Sequence, residues 1–118
     1  MSTPQTLLRK YQITPSKRLG QNFLVDKFAL KKLVSAAELT QTDVVLEVGP
    51  GLGILTQELA KKAGKVIAVE KDERMINVLK ETLKGFDKVE VIQGDILKLN
   101  LIPYTLKPYK VVANLPFY

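Results

Sequence analysis

The sequence contains no cysteine and no histidine among its 118 residues. Their absence excludes disulfides, thiolate catalysis and a histidine general base, and it removes the usual ligands of zinc, so no metal site is expected. No apolar run approaches the roughly 20 residues that a transmembrane helix needs. The N-terminus also lacks the apolar segment of a secretory signal. These absences predict a cytoplasmic chain with no membrane segment.

The net charge of +6 is concentrated in the N-terminal quarter of the chain. Residues 1–32 contain seven basic residues and one acid, whereas residues 33–118 contain eleven of each. A basic segment ahead of a neutral domain indicates a polyanionic partner such as RNA, although a solvated leader would carry the same charge. Residues 1–25 also lack sustained periodicity and contain Pro4, Pro15 and Gly20, which predicts an extended arm.

From residue 26 onward, short apolar runs alternate with amphipathic segments, as in a small α/β domain. Four runs are typical of buried parallel strands, namely VVLEV at 44–48, KVIAVE at 65–70, VEVIQ at 89–93 and KVVAN at 110–114. Helices are predicted over about 26–38 and 54–63 and between Lys71 and Gly85. The first helix would bury an apolar stripe formed by Phe28, Leu30, Leu33, Val34 and Ala37. This order of elements predicts a parallel sheet with right-handed crossovers.

A glycine-rich turn, GPGLG, lies between the first strand and the second helix. Gly49, Gly51 and Gly53 would let the backbone turn sharply and approach a ligand without Cβ clashes. The helix N-terminus that follows offers free N–H groups. Tight strand-to-helix turns need glycine for steric reasons alone, so the turn by itself indicates no particular ligand.

Acidic residues around the turn narrow the choice of ligand. Glu70 ends the second strand, 19 residues after Gly51, where an acid can reach a ribose diol. Ile54 stands where a dinucleotide-binding turn would place its third glycine, and Glu47 would repel a phosphate but balance a cation. These features favour S-adenosyl-L-methionine, which has a ribose and a sulfonium but no phosphate. Asp95, just after the third strand, could accept a hydrogen bond from the adenine of that cofactor or serve as an ordinary turn residue.

Five motifs occur in this order along the chain: RLGQNFL, EVGPGLGILT, VIAVEKD, QGDIL and NLPFY. From about residue 16 to 118 the arrangement resembles the ribosomal RNA adenine dimethyltransferases of the KsgA type. Related methyltransferases that confer macrolide resistance share the QNF motif and an N-[IL]-P-[FY] loop, but their glycine turn usually lacks the GPGLG form. The resemblance implies an α/β, Rossmann-like class I S-adenosylmethionine-dependent methyltransferase fold.

The resemblance also implies a set of cofactor-binding residues. They are Gln21, Asn22, Leu24, Gly49, Gly51, Glu70, Asp95 and Asn114. The first three belong to the GQNFL segment, which folds over the cofactor in that family, and they would line its methionine end. The two glycines would pass beneath the methionine. Glu70 would hold the ribose hydroxyls and Asp95 the adenine.

The NLPF loop is the part of the family pattern that binds the target adenine. Asn114 Oδ1 and the carbonyl of Leu115 would accept hydrogen bonds from the N6 amino group and aim its lone pair at the sulfonium methyl. Positioning would then supply much of the rate, and no general base is required. Pro116 would stiffen the loop, and Phe117 would stack on the flipped base.

The implied activity is N6,N6-dimethylation of adjacent adenosines near the 3′ end of small-subunit ribosomal RNA, free or in a pre-ribosomal particle. Lys17 and Arg18 would contact RNA phosphates. Family members continue well beyond NLPFY, so the chain is expected to be a fragment truncated after the fourth strand. It would comprise a basic arm over residues 1–25 and a partial methyltransferase domain over residues 26–118.

The family's strand order, 3-2-1-4, would leave the fourth strand as an exposed edge through which the chain could self-associate. Two other functions remain open. One is a non-catalytic RNA-binding or ribosome-assembly module that keeps the fold without turnover. The other, a nicotinamide-dependent oxidoreductase, is disfavoured by Ile54 and Glu47.

Overall fold

The computed structural model of the chain describes Thr6 and residues 9–11, 27–99 and 108–113. Its helices are α1 (Lys27–Ala36), α2 (Ile54–Lys62) and α3 (Glu73–Thr82). Its strands are β1 (Val44–Val48), β2 (Lys65–Glu70), β3 (Val89–Gln93) and β4 (Tyr109–Ala113). The first three predicted strands are confirmed at their predicted bounds, and the fourth begins one residue earlier than predicted. None of the helices in this described part has the length and apolar content that crossing a membrane requires.

The four strands form one parallel sheet in the order β3-β2-β1-β4. β1 lies inside the sheet, where Val45 pairs with Val66 of β2 and with Lys110 of β4. The predicted order 3-2-1-4 is confirmed, and β4 forms one edge of the described sheet. Because all the strands are parallel, their carboxyl ends meet at the same edge, which is where α/β sheets bind ligands.

Helices α1 and α2 cover one face of the sheet. Leu59 of α2 is fully buried in a cluster with Val45, Val66 and Val112. Side chains of α1 pack on this cluster as partly buried residues, namely Leu30, Leu33 and Val34. Neighbouring strand residues point to the opposite face, where a second cluster forms from Leu46, Ile67, Val69, Ile92, Ile96 and Leu99. The inner strands β1 and β2 are therefore buried on both faces, as their nearly continuous apolar runs predict.

The predicted apolar stripe of α1 is wrong at Phe28, whose side chain is 69% exposed. At 3.6 residues per turn, Phe28 lies roughly half a turn around the helix from the members that reach the core. Those members are Leu30, Leu33, Val34 and Ala37. α1 also ends two residues before its predicted end, and Glu38 beyond it has a left-handed backbone with φ 49°.

The extended conformation predicted for residues 1–25 is wrong at Thr6, Arg9 and Lys10, which are helical. Tyr11 packs against buried side chains of α3, so the aromatic ring gives the start of the chain a place to dock. Lys10 strengthens this attachment through an ion pair with α3. The predicted arm lies outside the described residues except for Thr6 and residues 9–11.

The outer strand β4 is buried on one face only. Val112 is buried under α1 and α2, whereas Val111, predicted to be buried, is 60% exposed. Tyr109, two residues earlier, is 42% exposed. Side chains alternate between the two faces of a strand, so the pair Tyr109 and Val111 occupies the face that the helices leave uncovered.

Candidate functional site at the carboxyl edge of the sheet

Three sequence-predicted elements meet at the carboxyl edge of the sheet. The glycine turn leaves β1, and the N–H of Gly49 donates to the carbonyl of Val69 at 3.0 Å. The N–H of Gly94, after β3, donates to the carbonyl of Glu70 at 2.9 Å. The predicted grouping of the glycine turn, Glu70 and Asp95 at one edge is therefore observed in the fold, while their roles toward a ligand stay predictions.

The three glycines of the turn all have left-handed backbone conformations, with φ of 69°, 58° and 84°. Gly53 is the N-cap of α2, and a Cβ there would lie 2.7 Å from Thr82 Oγ1 and 3.0 Å from a Leu79 methyl. The helices α2 and α3 can approach each other closely only because this Cβ is missing. At Gly51, by contrast, no atom of the described residues beyond its immediate neighbours lies within 4 Å of the Cβ position, so that part of the chain leaves space on that side of the turn.

Glu70 connects the end of β2 to the glycine turn. Its side chain is 7% exposed, and Oε2 accepts a hydrogen bond from the N–H of Asp72 at 2.8 Å. Burial raises the pKa of Glu70, and hydrogen bonds from the backbone N–H groups of Asp72, Gly51 and Lys71 oppose that rise. The carboxylate is thus held beside the turn, where the sequence predicts that it binds ribose hydroxyls.

Glu47 is the second buried acid beside the turn. It is 1% exposed, and its Oε1 accepts a hydrogen bond from the hydroxyl of Thr56 in α2. Burial raises the pKa of Glu47 to about 7; the Thr56 hydrogen bond opposes this rise and the nearby Glu70 adds to it. Among the described residues neither acid forms an ion pair with a lysine or arginine. The turn is therefore bordered by two buried carboxyl groups without a basic partner in that part of the chain.

Asp95 forms a turn of its own after β3. Its Oδ1 accepts a hydrogen bond from the N–H of Leu97 at 3.0 Å, and its Oδ2 lies 3.9 Å from Lys71 Nζ. The turn interpretation of Asp95 is therefore confirmed, and binding of an adenine stays a prediction. A Cβ at Gly94 would come within 3.1 Å of a Leu99 methyl, so the chain beyond the turn packs closely against that glycine.

Several predicted site residues lie outside the described residues. They are Lys17, Arg18, Gln21, Asn22, Leu24, Asn114, Leu115, Pro116 and Phe117. The described strand β4 ends at Ala113, one residue before the NLPF loop. By register, Ala113 pairs with Val48 at the carboxyl end of β1, so β4 leads to the same edge as the glycine turn.

Sequence reasoning missed three residues that shape the turn. Leu52, within the turn itself, is buried in a cluster with Met75 and Val78, and Tyr11 packs against the same cluster. Among the described residues, the Thr56 hydroxyl is the group that donates a hydrogen bond to the Glu47 carboxyl group. Positions 52 and 56 both lie within the EVGPGLGILT motif, but their packing depends on how α2 and α3 lie against the turn, so no local signal in the sequence identifies them.

A sequence profile of ribosomal RNA adenine dimethylases matches residues 14–118. The chain belongs to the ribosomal RNA adenine dimethylase family. A curated relative, ribosomal RNA small subunit methyltransferase A from Dehalococcoides mccartyi, is 46% identical over 121 residues, covering 100% of this chain and 41% of that protein. The chain therefore spans about two fifths of the length of the curated relatives it matches. The resemblance to the dimethyltransferase family is confirmed.

Two solved structures agree with this family assignment. The 23S rRNA methyltransferase ErmE is 36% identical with a TM-score of 0.73, over 81% of this chain and 38% of that chain. A dimethyladenosine transferase from Plasmodium falciparum is 35% identical with a TM-score of 0.66, over 80% of this chain and 34% of that one. The similarity of this chain to both methyltransferase structures confirms the predicted Rossmann-like methyltransferase fold.

Proposed function

We propose that this chain forms the cofactor-binding part of an S-adenosyl-L-methionine-dependent ribosomal RNA adenine N6-dimethyltransferase. The observation that carries the proposal is the pair of buried acids, Glu47 and Glu70, on either side of the glycine turn. The Glu47 carboxylate would repel the pyrophosphate of a dinucleotide and attract a ligand with a sulfonium and an ammonium group. Glu70 suits the ribose hydroxyls that such a ligand carries. The residues present therefore fit S-adenosyl-L-methionine better than a nicotinamide cofactor.

Each predicted cofactor residue has a specific role in this proposal. Glu70 accepts hydrogen bonds from the ribose hydroxyls, and Asp95 accepts one from the adenine amino group. Gly49 and Gly51 let the cofactor lie against the backbone of the turn. The residues Gln21, Asn22, Leu24 and Asn114 complete the site around the methionine end.

The NLPF loop holds the substrate amine in the proposed reaction. When bound, S-adenosyl-L-methionine would supply a methyl group to adenine N6 with cleavage of the bond from that methyl to sulfur, and the N6 proton would leave to water. Asn114 Oδ1 and the Leu115 carbonyl accept hydrogen bonds from the amino group and so fix its direction. Pro116 restricts the loop, and Phe117 stacks on the extruded base. A second transfer at the same nitrogen gives the dimethylated product.

Ribosomal RNA of the small subunit, free or in a pre-ribosomal particle, is the proposed substrate. The net charge of +6, concentrated before residue 33, supports a polyanionic partner. Lys17 and Arg18 contact phosphates, which position the RNA without reading its sequence. The adjacent adenosines near the 3′ end are proposed from the family resemblance alone.

The 118-residue chain by itself is proposed to be a weak catalyst, since it spans about two fifths of its relatives. Methyl transfer needs reacting groups placed to within about an ångström, and other parts of the relatives would contribute to that placement. The same coverage supports a second candidate, a non-catalytic RNA-binding or ribosome-assembly module.

Calorimetric titration with S-adenosyl-L-methionine and with NAD tests the cofactor assignment. We expect binding of the first and no detectable binding of the second, because Glu47 disfavours a pyrophosphate and Ile54 stands where a dinucleotide-binding turn would place its third glycine. A labelled-methyl assay on small-subunit particles then separates the two candidates, since only the dimethyltransferase transfers label to adenine. Tighter binding of NAD would overturn the assignment. Cofactor binding with no label transfer at all, not even the slow transfer expected of a weak catalyst, would favour the non-catalytic module.

The face of β4 that the described helices leave uncovered, together with its outer edge in the described sheet, is proposed to cause self-association of the 118-residue chain. Tyr109 and Val111 expose apolar surface beside backbone groups of an edge strand, a combination that pairs readily with another chain. Light scattering should show dimers or larger species whose proportion rises with concentration. Val111→Lys should shift the distribution toward monomer, whereas Leu97→Lys, at another exposed apolar position, should not. A monomer at all concentrations would contradict the proposal.

A further inference from the structure

The outer face of α1 combines an exposed aromatic ring with lysines. This face comprises Phe28, Lys31, Lys32 and Ser35, all of which are exposed. Lys31 and Lys32 lie three and four residues after Phe28, and Ser35 lies four and three residues after them, so the four share one side of the helix. Lys32 Nζ lies 4.7 Å from the centre of the Phe28 ring. The ten residues of α1 include three lysines and no acid. The face is therefore positively charged and carries one large apolar side chain.

The position of α1 relates this face to the candidate site. Lys110, which pairs with Val45 near the amino end of β1, donates from Nζ to the carbonyls of Ala37 and Glu38, both at 2.9 Å. The C-terminus of α1 is thereby fixed near the amino edge of the sheet. A helix of ten residues is about 15 Å long, close to the length of a five-residue strand. The Phe28 end of α1 can thus reach the side of the carboxyl edge.

We propose that the outer face of α1 is an RNA-binding surface, with Lys31 and Lys32 on phosphates and Phe28 stacked on an unpaired base. The inference rests on the proposed RNA substrate and assigns it a contact beyond the NLPF loop and the residues Lys17 and Arg18. Exposed aromatic rings beside lysines are how proteins bind single-stranded nucleic acid, because every base offers a flat face to stack on. The lysine now over the ring has a long flexible stem and can move to a neighbouring phosphate.

The composition of the face argues for RNA over a protein partner. A stable protein interface buries about 800 Å² on each side around a cluster of apolar residues. The outer face of α1 offers Phe28 as its single large apolar side chain, and two lysines flank it. Charge complementarity therefore favours a polyanion, and a second copy of this chain, with the same positive face, would be repelled.

Binding of a fluorescently labelled RNA hairpin with an adenosine-containing loop, measured across a range of salt concentrations, tests the proposal. Phe28→Ala should weaken binding roughly 5- to 150-fold, the value of one stacked base. Phe28→Trp should restore it. Lys31→Gln with Lys32→Gln should reduce the slope of log affinity against log salt by about 1.4, as expected for two lost single-strand phosphate contacts. S-adenosyl-L-methionine affinity and the melting temperature should stay unchanged in all of these variants.

A matched control is available on another helix. Lys61→Gln with Lys62→Gln removes the same charge from two exposed lysines at the end of α2 and should leave the salt slope nearly unchanged. Equal effects of the two double variants would overturn the proposal, since net charge alone would explain them. Unchanged RNA affinity in Phe28→Ala, or a change in its oligomeric state instead, would also overturn it. If the unmodified protein bound cofactor but no RNA, both the proposed RNA substrate and this RNA-binding surface would be rejected. If the protein bound RNA and the variants of α1 had no effect, only the surface would be rejected.

Discussion

Glu70→Ala is expected to weaken S-adenosyl-L-methionine binding about 10- to 150-fold. The carboxylate is 7% exposed at the end of β2 and stands beside the glycine turn. Two hydrogen bonds from ribose hydroxyls to a charged group contribute roughly 1.5–3 kcal/mol, which corresponds to that loss of affinity. Isothermal titration calorimetry of the variant and the unmodified protein measures the difference directly.

The same carboxylate also accepts hydrogen bonds from the backbone, so an indirect effect has to be separated. Removing it leaves N–H groups of Gly51 and Asp72 without that acceptor, which should lower the melting temperature and loosen the turn. A cofactor analogue without the ribose 2′-hydroxyl separates the two effects in a double-mutant cycle. If Glu70 binds the ribose, the analogue should lose affinity for the unmodified protein and not for Glu70→Ala.

Glu73→Ala is the control for this experiment, since Glu73 is an exposed acid three residues further along the chain. It should leave cofactor affinity and melting temperature nearly unchanged. Should Glu70→Ala bind the cofactor as tightly as the unmodified protein, the ribose assignment is wrong. A different result would show that the carboxylate acts only by shaping the turn. In that case the unmodified protein would bind cofactor and analogue equally well, and Glu70→Ala would bind both equally weakly.

The elements that sequence reasoning predicted well are those set by local physics. A parallel strand buried on both faces needs a continuous apolar run, as at β1 and β2, and the strands β1, β2 and β3 all end at the predicted residues. The glycine turn needs left-handed backbone conformations that other residues rarely adopt, and Gly49, Gly51 and Gly53 all have them. These features required no knowledge of distant contacts.

The parts that were predicted wrongly depend on what lies across the fold. Phe28 is apolar and near the start of a helix, but whether it reaches the core depends on helical phase, which places it opposite Leu30 and Leu33. Val111 looks like the middle of a buried strand, yet β4 is covered on one face only. Tyr11 packs against α3, more than sixty residues later in the sequence, and no local pattern predicts that contact.

In the candidate site too, the features set by local sequence were predicted, and those that depend on distant contacts were not. The sequence placed Glu70 and Asp95 at strand ends because the strands themselves were predictable. It also identified Glu47 as an acid unsuited to a phosphate. Its nearly complete burial and its bond to Thr56 could not be predicted, because they depend on how α2 packs over β1. That burial determines how the site should respond to pH.

Because Glu47 titrates, folding stability and cofactor affinity should depend on pH in opposite ways. Burial raises its pKa from 4.5 to about 7, so the folded protein holds this proton more tightly than the unfolded chain. Folding stability is therefore highest at low pH as far as Glu47 is concerned, and it falls as pH rises from about 4.5 to about 7. A shift of this size corresponds to about 3 kcal/mol of unfolding free energy. Denaturant titration should show that Glu47→Gln removes this fall.

Affinity for S-adenosyl-L-methionine should change with pH in the other direction. A bound cation favours the carboxylate form, so below pH 7 the cofactor must displace a proton from Glu47, and its affinity should fall by up to about tenfold per pH unit. Above about pH 7 affinity should level off. The described groups that face Glu47 are Thr56, which does not titrate, and Glu70, whose raised pKa adds a slope of the same sign.

Calorimetry between pH 6 and 8 distinguishes the contribution of Glu47 from that of its neighbour. Glu47→Gln should lose most of the slope and keep the smaller part due to Glu70. Glu58→Gln, at a half-buried acid of α2 that pairs with Lys61, should keep all of it. S-adenosyl-L-homocysteine has no sulfonium charge, so its affinity should vary less with pH than that of the methyl donor. The ratio of donor to product affinity should consequently rise from pH 6 to pH 8. A slope that is the same for both ligands, or the same in Glu47→Gln as in the unmodified protein, would show that this buried acid does not sense the charge of the cofactor.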